Sequence, residues 1–124
     1  MNTKTRVILI GWNPMVVDYS KWPGLTPEKL TAALEADRSN LNDLGYDANL
    51  LFIDDAETAF DVVKEKLNQE NYDCVLIGAG VRTVDEHFIV FERLVNAVHE
   101  TAPNAKICFN TNPSDTAEAV QRWA

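Results

Sequence analysis

Gly78-Ala79-Gly80, followed closely by Arg82, is the stretch of this chain whose residue types and spacing come nearest to a ligand cradle. Glycines let main-chain amides approach a bound group, and a helix beginning there turns its N–H donors outward. A guanidinium adds a two-pronged grip on a carboxylate or phosphate. The chemistry suggested is therefore anion binding. Dinucleotide binding is not indicated: GxGxxG needs glycine where Thr83 stands, and the stretch follows the third strand rather than the first. The GK[ST] of a phosphate-binding loop is missing as well.

The remaining reactive side chains offer less. His87 falls near the same turn, but a catalytic histidine needs a nucleophile and an orienting carboxylate, and the turns supply no suitable Ser or Cys. His99 suits the negative end of its helix. Cys74 and Cys108 sit inside separate apolar runs without metal-ligand spacing, which reads as two buried, reduced thiols. Asp54-Asp55 invites a metal reading, yet such a pair ahead of a helix is sufficient as a cap, and no metal is assigned. Asp37 is odder. It falls within a leucine stripe, between Leu34 and Leu41, where a carboxylate requires a specific partner that the sequence does not name.

Positioning these residues requires strands that alternate with helices. The strands are RVILIG (6–11), ANLLFI (48–53), CVLIGA (74–79) and AKICFN (105–110). The first and third are apolar without alternation, the pattern of parallel strands covered on both faces. The first helix opens with Thr26-Pro27, ends at Gly45, and turns Leu30, Ala33, Leu34, Leu41 and Leu44 inward. The second buries Ala56, Phe60, Val63 and Leu67. The third is expected to start with a Thr83-Val84-Asp85-Glu86 capping box and to bury Val84, Phe88, Phe91, Val95 and Val98. Ile89, Val90 and Ala97 would then face outward, a hint of a homodimer through this helix. The fourth runs from near Asn112-Pro113 to Trp123.

This alternation predicts one α/β domain over residues 1–124, a three-layer doubly wound four-stranded parallel sheet of order 2-1-3-4. The second and third helices would cover one face, the first and fourth the other. In such sheets ligands bind beyond the carboxyl ends of the strands, where the order reverses, between strands 1 and 3. Three turns converge there: Gly11-Trp12-Asn13, Gly78 to Arg82, and Asn110-Thr111-Asn112. The segment WNPMVVDYSKWPG (12–24) is long for a strand-to-helix connection and carries Trp12, Tyr19 and Trp22, as a lid or binding loop would.

The formal net charge of −8 argues against nucleic acid and against anionic membrane surfaces. The N-terminal run VILIG is far too short for a signal core or a membrane span, so a cytoplasmic location is expected.

LGYDANLLFIDDAETAFDVVKEKL and ENYDCVLIGAG resemble the corresponding segments of response-regulator receiver domains, members of the flavodoxin-like group. The resemblance implies the fold; the phosphorylation chemistry does not carry over. Gly78 stands at the phosphorylated aspartate, Gly11-Trp12 at the acidic pair, and no counterpart of the receiver lysine follows. Thr111 alone stands near the place of the receiver hydroxyl. GAGVRT, HFIVFE and KICFNTNPSDTAEAVQRW are similar to segments of small bacterial flavodoxin-like proteins, which implies the same fold and a bacterial cytoplasm but no reaction.

Two functions are expected. The first is binding of a small anionic ligand by Gly11, Trp12, Asn13, Gly78, Ala79, Gly80, Arg82, Asn110, Thr111 and Asn112, with no cofactor named by any motif. The second is a non-catalytic, receiver-like interaction or self-association module without a phosphoacceptor.

Overall fold

The computed structural model describes residues 4–124, apart from the side chains of Asp85 and Pro113. Four strands, β1 (Arg6–Trp12), β2 (Asp47–Ile53), β3 (Cys74–Ile77) and β4 (Lys106–Phe109), pair in parallel in the order β2-β1-β3-β4. β1 is flanked by Ile10↔Leu51 on one side and Ile10↔Ile77 on the other, so the exits of β1 and β3 lie side by side. The doubly wound order expected from the strand–helix alternation is the one observed.

The helices are α1 (Pro27–Asp43), α2 (Ala56–Gln69), the single turn α3 (Ala79–Arg82), α4 (Phe88–Thr101) and α5 (Thr116–Trp123). Thr26 Oγ1 accepts from Lys29 N (3.1 Å) with Pro27 next in line, and Gly45 leaves α1 at φ 100°, a left-handed conformation that glycine adopts freely. Asp55 caps α2 by accepting from Thr58 N at 2.8 Å.

Alternation along β1 divides the core. Ile8 and Ile10 pack with Val63 and Leu67 of α2 and Leu94 and Val98 of α4. Val7 and Leu9 face the opposite layer, with Leu41 of α1 and Ala119 and Val120 of α5. The two layers are filled unequally. Leu41 is the one residue of α1 that is fully buried, while Leu30, Ala33 and Leu34 are half-buried and Leu44 is 50% exposed. The N-terminal half of α1 therefore stands off the sheet.

The start of the helix before β4 differs from the sequence expectation. Thr83 ends α3 by donating its hydroxyl to Ala79 O (2.7 Å) instead of opening a capping box, and α4 begins only at Phe88. The extra break rotates the helix relative to the expected stripe. Val90 and Ala97, expected outside, are 2% and 0% exposed, and Phe88, expected inside, is 57% exposed. Of the three aliphatics offered as a dimer surface only Ile89 is exposed.

Cys74 and Cys108 come together on neighbouring strands with their sulfurs 3.5 Å apart, both buried and unbridged. Contact with Cys74 and burial hold the Cys108 thiol far above the ordinary thiol range. Among the described residues no helix is long and apolar enough to cross a membrane.

Candidate functional site

Where α1 lifts from the sheet, a cavity of about 530 Å³ opens and continues over the carboxyl ends of β1 and β3. Its floor is Leu9, Leu50 and Leu76, one residue from each of β1, β2 and β3. Leu30 and Leu34 of α1 close one side, and Val16, Val17, Trp22 and Leu25 of the connection after β1 form a roof. The roof is held by Lys21, whose ammonium pairs with Glu86 in the turn before α4. Tyr19 steadies it from within by donating its hydroxyl to Pro14 O at 2.6 Å. The long aromatic connection read from the sequence is thus a wall of the cavity.

Eight of the ten residues assigned to a ligand from sequence line this cavity: Gly11, Trp12, Gly78, Ala79, Gly80, Asn110, Thr111 and Asn112. Asn13 does not. Its Nδ2 donates to Asp54 Oδ1 (3.0 Å) and its Oδ1 accepts from Met15 N (3.0 Å), so it stitches the loop to the end of β2. Arg82, the expected anion grip, also lies outside the lining. Its guanidinium donates to Asn110 O and sits 5.6 Å above the Phe109 ring, turned toward β4.

The glycine turn is likewise engaged elsewhere. Gly78 N donates to Ile10 O at 2.9 Å, and a Cβ on Gly78 would lie 3.3 Å from that carbonyl oxygen, so close approach to β1 selects glycine. The amides of Val81 and Arg82 donate back to Gly78 O, and Ala79 N donates to Asn110 Oδ1 (2.9 Å). The amides of Gly78, Ala79, Val81 and Arg82 are thus engaged within the fold, and the Arg82 guanidinium lies against Asn110 O and Phe109 outside the cavity lining.

A polar chain runs along one wall instead. From the Ala79 amide it passes through the Asn110 side chain, whose Nδ2 donates to Thr116 Oγ1 (2.9 Å), and Thr116 Oγ1 donates to Asp37 Oδ2 (2.8 Å). Asn110 and Thr116 are 6% and 2% exposed, so the middle of this chain is protected from water. Asp37 thereby finds the partner its place in the leucine stripe demanded, on the N-terminus of α5. Burial pushes the Asp37 carboxyl above the usual range, the Thr116 bond opposes that, and the nearby Asp115 charge adds to it.

Thr111 and Asn112 belong to a cap. Thr111 Oγ1 donates to Asp115 Oδ2 (2.6 Å), and Asn112 Oδ1 accepts from Ser114 N (2.8 Å). The Thr111 hydroxyl, joined by the main-chain amides of Asn112 and Thr111, holds the Asp115 carboxyl below its ordinary value. His87 lines the cavity with its ring centroid 4.7 Å from that of Trp12, where it packs as an aromatic wall. Asp54 and Asp55 stand at the rim, the second engaged as a cap. Among the described residues no group of three or more His, Cys, Asp or Glu side chains could hold a metal ion.

Sequence reasoning missed the leucine floor and Thr116. Leu9, Leu50 and Leu76 carry the same apolar signal as any core residue, and only the lifted end of α1 turns them into a binding surface. Asp37 was visible as an anomaly without an assigned role.

No protein-family model matches the chain, and no curated protein matches it.

Proposed function

We propose that this protein binds a small organic molecule with an apolar body in the cavity at the carboxyl edge of β1 and β3. The observation that supports this reading is a 530 Å³ space floored by Leu9, Leu50 and Leu76 at the place where open parallel sheets commonly take ligands. A well-packed domain of this size closes such a gap, since each unfilled apolar volume costs stability. The charge of the lining is against an anion. Asp18, Asp37, Asp54, Asp55 and Glu86 face Lys21 alone among the described lining residues, and Lys21 is paired with Glu86.

The uncharged fluorophore N-phenylnaphthylamine and its sulfonated counterpart test the reading as a matched pair. The neutral dye is expected to brighten on mixing with the protein and to bind more tightly than the sulfonate. A Leu50→Trp variant, which fills the floor from a strand that cannot turn its side chain away, is expected to weaken the neutral dye about tenfold, equal to about 1.4 kcal/mol. Because the space is already open, that variant should fold with less than the ~1–3 kcal/mol loss typical of overpacking. A neutral dye that does not bind, or that binds Leu50→Trp as well as wild type, would count against the proposal.

A further inference from the structure

We propose that the ligand of this cavity ends in a protonated amine and that its ammonium group is set against the Asp37 carboxylate. The inference rests on the cavity reading given above and narrows the class of molecule. Asp37 lies on α1 between Leu34 and Leu41, half-buried, with its carboxylate at the cavity wall. Among the described residues no Lys, Arg or His pairs with it, and its hydrogen bond comes from Thr116.

The other lining carboxylates differ in this respect. Asp18 accepts from Ser20 N and Oγ, Asp54 accepts from Asn13, Asp55 accepts from Thr58, and Glu86 holds Lys21. Each is a cap, a staple or half of an ion pair at the exposed rim. Asp37 is half-withdrawn from water beside leucines, with the like charge of Asp115 near it, and these outweigh the Thr116 bond in disfavouring its ionised form.

The hydrogen-bond chain fixes what Asp37 offers. Thr116 donates to one Asp37 carboxylate oxygen while accepting from Asn110. The carboxylate is thereby oriented as an acceptor. An ammonium group supplies both the donors and the charge that this acceptor lacks. The indoles of Trp12 and Trp22 on the cavity wall suit a cation as well, since their ring faces attract positive charge. The chain's net charge of −8 draws cations toward the cavity mouth and repels anions.

Phenylbutylamine and phenylbutanol, alike in shape and differing in charge, are the probes, titrated at pH 7 and low salt with tryptophan fluorescence as the readout. In the wild-type protein the amine is expected to bind at least about fivefold more tightly than the alcohol, the scale of one charge-assisted hydrogen bond at a partly buried site. In Asp37→Asn and Asp37→Ser the two probes are expected to fall within about twofold of each other. Equal affinities in the wild type, or a preference for the amine that survives both variants, would overturn the assignment of an amine while the bound alcohol left the cavity reading standing. Binding of neither probe would overturn both. Where one variant does not fold the other carries the test, since only loss of the amine preference on changing Asp37 assigns the ammonium to that carboxylate.

Discussion

Val90→Glu is expected to abolish folding, or to leave a protein that melts near ambient temperature. Val90 is 2% exposed in α4, in the core layer with Ile8, Ile10 and Leu94. A carboxylate there would lose its hydration without gaining a cation, a penalty of about 4 kcal/mol or more. A domain of this size holds roughly 5–15 kcal/mol in all. Urea denaturation followed by circular dichroism measures the loss. The adjacent variant Ile89→Glu, at a position 52% exposed, is the control and should cost less than about 0.5 kcal/mol. A folded Val90→Glu protein as stable as that control would mean that α4 presents a different face to the sheet.

Asn110→Ala is expected to cost about 2–3 kcal/mol, more than the loss of one ordinary hydrogen bond. Asn110 is buried and bonded at both ends of its amide, to Ala79 N and to Thr116 Oγ1. Truncation takes the acceptor from the Ala79 amide and one donor from the Thr116 hydroxyl beside a buried side chain, so part of the desolvation cost remains unmet. Because Thr116 is shared with Asp37, the Asn110→Ala and Thr116→Val changes should be non-additive by about 1 kcal/mol in a double-mutant cycle. A cost below about 0.5 kcal/mol for Asn110→Ala, or strict additivity, would show that the chain from Ala79 to Asp37 is not energetically connected.

These two positions also mark how far the sequence could be read. Strand order, the division of helices between faces and the cap at Thr26 follow from local patterns, because parallel strands buried on both faces leave a near-continuous apolar run. The outward assignment of Val90 failed for a local reason. The Thr83 hydroxyl bonds back to Ala79 O, and the break before Phe88 shifts the helical phase, so a stripe anchored on Val84 carries the wrong phase into α4. Asn110 was placed at the site from its position after β4, while its role as the link between α3 and α5 depends on two contacts across the fold. Arg82 shows the converse. Its type and spacing suit an anion, but its guanidinium is taken up by the Asn110 carbonyl and the Phe109 ring. The leucine floor stayed hidden because hydrophobic pattern reports burial and not whether the opposing helix fills the space.

Methyl-detected NMR of the wild-type protein titrated with N-phenylnaphthylamine tests the cavity most directly. Dye-dependent shifts are expected at the methyls of Leu9, Leu50 and Leu76 and at the indole N–H groups of Trp12 and Trp22, all saturating along one binding curve. Shifts confined to the exposed Met15, Phe88 and Ile89, with the three leucines of the floor unmoved, would contradict the account.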